Sequence, residues 1–236
     1  MQAAWNRRGM QNLGFAYAID PALRALYPEP ERREEALARH LCFFNCHPYM
    51  AAAIVGGAIH HEEKVASGLE PGGQPARYKQ TLQGPLAALG DGFFWTALRP
   101  FFGAAAAVGA LLAGWPAIVL ALVAYNAIHL VFRLGLFRAG YEKGDAIVGD
   151  ISRLGLPVAA DRLRAAGAAL CGVAAAIVVV RSAAPFGGAG GVIAAAAAAL
   201  GYAALSRGAR LLPAAYVAAL AGAGAAVVVA RLHGSG

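Results

Sequence analysis

The chain has 236 residues, 59% of them hydrophobic and only 14% charged, with a formal net charge of +7. Soluble domains carry about a quarter charged residues, so this balance excludes an ordinary water-soluble globule and points to a membrane protein. The positive charge does not imply nucleic acid, because Lys and Arg cluster beside apolar segments as cytoplasmic flanks do, without the aromatic–basic interleaving of a single-strand binder.

Thirty glycines and abundant alanine let membrane helices approach closely. The expected fold is therefore all-α: a polytopic membrane protein with amphipathic N-terminal helices, re-entrant or broken helices and a small-residue-rich helical bundle. The opening MQAAWNRRGMQNLGF has two arginines but no apolar core before a small-residue cleavage site. It is not a signal peptide, and the N-terminus is expected in the cytoplasm. Trp5, Leu13, Phe15 and Tyr17 suit a helix lying against a membrane surface or a partner, with Pro21 and Pro28 as breaks. Pro30 opens a charged helix that reaches Phe44, with Ala36, Leu37, Leu41 and Phe44 at helical spacing.

Asn45, His47 and Pro48 then interrupt the apolar character. Met50 to Ile59 resumes it over about half of a bilayer span and ends in His60-His61-Glu62-Glu63-Lys64, so this segment reads as re-entrant. Residues 67–80 form a loop. The stretch Gly84–Pro100, GPLAALGDGFFWTALRP, holds Asp91 and Arg99 in otherwise uncharged sequence. Gly84, Gly90 and Pro100 punctuate it, which predicts short pieces rather than one helix. A helix over 92–99 would place Asp91 and Arg99 at the ends that suit their charges.

Residues 100–132 contain no Lys, Arg, Asp or Glu, and Gly114-Trp115-Pro116 falls in the middle. One long bent helix or a hairpin satisfies that run. After a basic interval from Arg133 to Arg164, three uncharged segments follow at 165–180, 182–206 (with Gly187–Gly191 as a break) and 211–230. Basic flanks put 133–164 and 207–210 on the cytoplasmic side and the C-terminus outside. The whole, 1–236, is expected to be a single membrane domain. Its parts are amphipathic helices and a first re-entrant segment (1–64), a central broken-helix region (65–164) and C-terminal transmembrane helices (165–236).

Little in the chain points to catalysis. His40, Cys42, Cys46, His47, His60 and His61 lack HExxH or paired CxxC spacing, so no metal site is expected. Three cysteines, Cys42, Cys46 and Cys171, imply no disulfide framework. No nucleophile elbow, phosphate-cradling loop or dinucleotide fingerprint appears, and no cofactor is expected. Glu62 and Glu63 are adjacent and face different sides of a helix. Asn45, His47, Asp91 and Arg99 differ in kind: all are polar groups at breaks flanking apolar segments, where an unsatisfied group is costly. Amide, imidazole and carboxylate groups beside aromatic faces such as Phe94 and Trp95 suit a polar, hydroxyl-rich solute.

Five blocks carry a resemblance over nearly the whole length. They are Met10–Gly56 (MQNLGFAYAIDPALRALYPEPERREEALARHLCFFNCHPYMAAAIVG), the His60–Lys64 cluster, Gly84–Pro100, Tyr125–Gly144 (YNAIHLVFRLGLFRAGYEKG) and the small-residue-rich end. The FFNxxP and GPLAxxGDxxFWxxxRP elements are specific in combination. The chain resembles the IID subunit of the mannose/fructose/sorbose-type phosphotransferase system. The resemblance implies a bacterial inner-membrane subunit that pairs with a IIC subunit and passes a hexose inward, while IIA and IIB proteins phosphorylate the sugar. It implies a trimer of IIC–IID pairs, no enzymatic activity and no phosphohistidine on this chain. The family's motif positions map onto Asn45, Pro48, Glu62, Gly84, Gly90, Asp91, Trp95, Arg99 and Pro100. Of these, Asn45, Glu62, Asp91, Trp95 and Arg99, together with His47, are the expected substrate-binding set. Pro48, Gly84, Gly90 and Pro100 are expected structural breaks. The alternative reading is a non-transporting regulatory or scaffold subunit of an incomplete relay.

Overall fold

Every regular element between residues 4 and 183, the part of the chain that this computed structural model describes, is helical. Contacts divide the chain into two units, 1–174 and 175–236. The residues that position the candidate site all lie in the first.

Helix α1 (Asn12–Leu26) buries Phe15, Ile19 and Leu23, which recur every fourth residue and form one stripe. Phe15 therefore faces inward, unlike Trp5, Leu13 and Tyr17, which stay exposed as expected of an outward face. Pro21 lies inside α1 instead of ending it, on the exposed side of the helix. Helix α2 (Pro30–His40) starts with proline at its first position, where no N–H is needed, and buries only Ala36 and His40. It stops four residues before the expected Phe44. The backbone beyond it finds partners in the N-terminal loop: Gln11 N–H donates to the Phe44 carbonyl at 2.8 Å and Phe44 N–H to the Gly9 carbonyl at 3.2 Å.

Helix α3 (Ala51–Ala66) is the centre of the fold. It packs on α1 and on two helices that follow it, α4 (Gln74–Gly90) and α6 (Trp115–Lys143), and it buries an unbroken run from Ala51 to Ala58. It runs straight through the His60–Lys64 cluster rather than ending there, because those side chains have partners on other elements. The preceding turn at Pro48 is a break, as expected. The loop after α3 is shorter than expected and ends where α4 begins at Gln74.

The expected fragmentation of Gly84–Pro100 does not occur. Gly84 lies within α4, and the chain stays helical from Gln74 to Ala113. What changes is the pitch. Asp91–Leu98 is a π-helical segment that joins α4 to α5 (Arg99–Ala113). Pro100 has no N–H for the bond to Thr96, and its ring crowds that carbonyl in α geometry. A wider turn just before it relieves the crowding. Asp91 and Arg99 thus sit on a continuous helix, and the macrodipole match expected of a short capped helix has no ends to act on.

Of the two options for 100–132, the hairpin is found. Gly114, at φ 76° and ψ −160°, alone separates α5 from α6. Phe102 meets Tyr125, and Gly109 meets Ala117, so the two helices run antiparallel. Helix α6 also crosses α3 at close range. A Cβ on Gly56 would overlap the Phe137 carbonyl, and one on Gly140 would overlap the Ala53 carbonyl. After a short turn come α7 (Ile147–Arg153) and α8 (Leu156–Ala183), with Gly155 between them at φ 58°.

Two helical stretches, Gln74–Ala113 and Trp115–Arg181, are long and apolar enough to cross a membrane. The expected segments 182–206 and 211–230, the break at Gly187–Gly191 and the side assigned to the C-terminus lie outside the described residues.

Candidate functional site

The turn Cys46–Met50 delivers two aromatic side chains to the π-helical segment. His47 is 2% exposed and stacks face to face on Phe94, with ring centroids 5.0 Å apart and planes 11° apart. It meets Tyr49 and Trp95 edge-on. Gly90 makes this possible, since any Cβ there would overlap the imidazole. The Tyr49 N–H donates to His47 Nδ1 at 3.3 Å, which places the proton on Nε2. That Nε2 is buried and has no partner among the described residues. Burial pushes the His47 imidazole down to about 4, so it is neutral at ordinary pH.

Above this layer lies a cleft of about 420 Å³ between the π segment and the α5–α6 hairpin. Tyr49, Trp95, Arg99, Tyr125 and Asn126 bring its few polar groups to a lining that is otherwise apolar, made by Phe102, Ala106, Ile118, Ala121 and Leu122. The Arg99 guanidinium lies 5.2 Å from the Trp95 ring centroid and has no ion pair among the described residues. Tyr49 and Tyr125 hydroxyls are 3.4 Å apart. His129 stacks on Tyr49 at 4.4 Å, and its Nε2–H donates to the side-chain Oδ1 of Asn126 at 3.1 Å. Aromatic faces, two hydroxyls, one amide and one cation can hold a neutral or weakly acidic hydroxyl-bearing solute. The size falls in the range of small-molecule sites, about 300–1,000 Å³.

The π segment is held from outside as well. Arg164 of α8 donates to the Gly92 carbonyl at 3.3 Å and to the Thr96 hydroxyl at 3.2 Å, and that hydroxyl donates to the same carbonyl at 2.8 Å. The Gly92 carbonyl thus accepts from two side chains.

Among the residues expected from sequence, Trp95 and Arg99 line the cleft, and His47 lies directly behind Trp95 and Tyr49. Asp91 and Asn45 do not line it. Both are exposed, and Asp91 forms no ion pair among the described residues, Arg99 included. Glu62 is elsewhere, at the C-terminal end of α3, and is completely buried. Its Oε1 accepts from Arg39 Nε at 2.7 Å and from His40 Nε2 at 2.8 Å. Its Oε2 accepts from Arg39 Nη2 at 2.6 Å and from the Tyr27 hydroxyl at 2.7 Å. Burial alone pushes the Glu62 carboxyl up, but these hydrogen bonds outweigh it and bring it down to about 2. Burial pushes His40 down, opposed by its bond to Glu62. Nearby, Lys79 is also fully buried, donating to the His40 carbonyl at 2.9 Å with its ammonium 4.7 Å from the Phe15 ring centroid. Both Glu62 oxygens are thus taken up by side chains of the protein. Glu63 points to another face, where it accepts from the Tyr141 hydroxyl.

Tyr49, Phe102, Tyr125 and Asn126 are cleft residues that spacing arguments missed, and His129 packs on Tyr49 beside them. Their signal lay in plain view, because Tyr125, Asn126 and His129 fall on one helical face of a block that carries the resemblance. Among the described residues no three His, Cys, Asp or Glu side chains gather as a metal site.

Comparison with known proteins fits this arrangement. The chain is 41% identical over 152 residues to the mannose-specific EIID component of the phosphotransferase system of Escherichia coli (strain K12), a match covering 64% of this chain and 54% of that protein. It is 37% identical over 153 residues to a sorbose-specific EIID component from Lacticaseibacillus casei, covering 64% and 54%. A fructose permease IID component from Bacillus subtilis (strain 168) is 36% identical over 153 residues, covering 63% and 54%. The chain thus spans about half the length of the curated relatives it matches. A cryo-electron-microscopy structure of the mannose transporter ManYZ with microcin E492 contains a chain that superposes with a TM-score of 0.59 at 37% identity, covering 74% of this chain and 64% of that one. The model of the PTS system mannose/fructose/sorbose family IID component matches residues 1–197, and this chain belongs to that family of membrane subunits.

Proposed function

We propose that this chain pairs with a IIC subunit in a bacterial cytoplasmic membrane and helps to translocate a hexose that IIA and IIB phosphorylate. The single observation that carries the reading is the placement of Trp95 and Arg99. Both belong to the most specific motif of the family likeness, and both line a cleft whose apolar walls carry a few aromatic and polar groups. In this reading Arg99, Trp95, Tyr49, Tyr125 and Asn126 form one side of the solute path, and His47 braces Trp95 and Tyr49 from behind. Asn45 and Asp91, exposed outside the cleft, are assigned to contact with IIC. Glu62 acts as a brace between helices.

The reading includes a cytoplasmic N-terminus, in line with the basic interval 133–164, a single IID-type membrane domain over 1–236, and a trimer of IIC–IID pairs. It assigns no phosphohistidine to the chain. His40, His47 and His61 are at most 2% exposed, which closes them to a phosphocarrier protein.

The test is uptake of radiolabelled mannose, fructose and sorbose by cells lacking their own permeases of this class and expressing this chain with its IIA, IIB and IIC partners. Uptake of at least one sugar is expected, together with its loss when either IIC or this chain is left out. Arg99→Gln and Trp95→Ala are expected to lower it at least tenfold with assembly intact. Uptake that persists at full rate without this chain overturns the proposal and favours a scaffold role.

A further inference from the structure

A second groove, of about 260 Å³, lies between α1, α3 and α6, and none of its residues belongs to the cleft. Ala18, Ala52, Val55, Leu134 and Phe137 make its apolar wall, and Arg133 is the one charged side chain on it. Ala18 and Ala52 are small enough to leave the space open, while Leu134 and Phe137 stand exposed along α6.

Two observations identify what fills it. The first is charge. Of the three cations on α6, Arg138 pairs with Glu142 and Lys143 with Asp150. Arg133 is exposed and has no ion pair among the described residues. The second is depth. Helix α6 carries no charge from Trp115 to Phe132, and at 1.5 Å per residue that run is ~27 Å long. The hydrocarbon core of a bilayer is ~30 Å thick, so Arg133 is the first charge at its edge, where lipid phosphates lie. A cation at that boundary with no counter-ion among the described residues, opening onto an apolar groove, complements an anionic headgroup joined to an apolar body.

We infer that this groove binds one anionic phospholipid, with its phosphodiester on Arg133 and its apolar part against Ala18, Ala52, Leu134 and Phe137. The lipid fills the gap between α1 and α6 and ties the N-terminal helices to the bilayer edge. This inference is independent of which sugar is moved, and its test uses no transport readout.

The experiment reconstitutes the full chain in phosphatidylcholine vesicles containing a phosphatidylglycerol probe with a photoactivatable acyl chain. Labelling of the α6 peptide around Leu134–Phe137 is expected in the unmodified protein, which needs no variant to fold. Phosphatidylglycerol affinity is then compared across variants, each checked for a cooperative melt. Arg133→Gln is expected to weaken it about fivefold, as is typical of one interfacial cation. Ala18→Leu, which fills the groove but keeps the charge, is expected to weaken it similarly. Arg138→Gln, outside the groove, is expected to stay within twofold. Unchanged affinity in both Arg133→Gln and Ala18→Leu overturns the inference. So does displacement of the probe by inorganic phosphate alone, which would make this a bare anion site. Loss of labelling once the IIC partner is bound also overturns it, because the groove would then belong to a protein contact.

Discussion

Glu62 shows how much a residue's surroundings decide its work. As a carboxylate among sugar-binding candidates it invites a solute role, yet Arg39, His40 and Tyr27 use both of its oxygens. Removing one partner of a buried charge cluster typically costs about 3–5 kcal/mol, because the others are left uncompensated. Glu62→Gln is therefore expected to lower stability by about 3 kcal/mol, read as a fall in the melting temperature of the detergent-solubilised protein. The pH dependence has a definite sign. The folded carboxyl titrates at about 2 against an ordinary 4.5, so its contribution is fully present above pH 4.5 and is lost as pH falls towards 2. A drop of that size corresponds to about 3 kcal/mol. His40, held neutral by burial, adds to the loss on the acid side because it must charge. Melting curves from about pH 3 to about pH 7 should show this acid-side loss in the unmodified chain and a flatter profile in Glu62→Gln. An unchanged slope would remove Glu62 from the account. Gly90 makes a second residue-scale case. Gly90→Val places a branched side chain where the His47 ring sits. Displacement of His47 from Phe94 is expected, with a loss of about 1–3 kcal/mol typical of overpacking, and a melt equal to wild type would count against the stack.

At the scale of elements, the instructive mismatch is the run from Gln74 to Ala113. Glycine and proline read as stops in a sequence, yet Gly84, Pro85 and Gly90 sit inside or at the end of α4 and Pro100 follows a π segment. In a lipid environment every backbone group must be satisfied within the segment, which favours a continuous helix with a local change of pitch over a break. The signal for the change is Pro100 itself, which forbids one α bond and crowds a carbonyl. Spacing alone does not distinguish that outcome from a turn. By contrast, Gly114 was legible as an interruption, because the uncharged run around it is longer than one span, although a bent helix satisfies that length as well as the hairpin that forms. The α3–α6 crossing was also latent in the composition: abundant small residues predict close helices, though not which glycines meet. Gly56 and Gly140 are the ones, each facing a carbonyl of the other helix. Gly140→Ala is expected to push α3 and α6 apart and to destabilise by about 1–3 kcal/mol. Gly135→Ala, on the same helix with nothing within 4 Å, should be neutral or gain about 0.5–1 kcal/mol. Thermal melts of the pair in one detergent check both, and equal effects would refute the close crossing.

For the whole molecule, the family and the all-α membrane character were legible because both rest on long-range statistics: a charge-poor composition, alternation of basic and apolar intervals, and two motifs in combination. The site was half legible. Trp95 and Arg99 came through as motif residues, but Tyr49, Tyr125 and Asn126 needed the α5–α6 hairpin and the Cys46–Met50 turn to bring them together. Tertiary closure, not local spacing, makes that cleft. The same closure leaves a broad apolar face uncovered. On α6, Leu120, Val123 and Val131 are 70%, 60% and 71% exposed. Water would make such a face an aggregation site, whereas lipid makes it an ordinary boundary. Val123 lies eight residues beyond Trp115, which at 1.5 Å per residue is ~12 Å and near the middle of a ~30 Å core. A charge there is expensive, by about 2.5–3.5 kcal/mol for arginine at a helix centre. Val123→Arg is expected to lower membrane integration of α6 by at least tenfold, measured by glycosylation-site mapping of the hairpin, and to leave more of the chain in the alkaline-wash supernatant. Val123→Leu is expected to integrate as wild type. Equal integration of the arginine variant would mean that this face packs against protein or lines water, and the lipid boundary drawn along α6 would have to move.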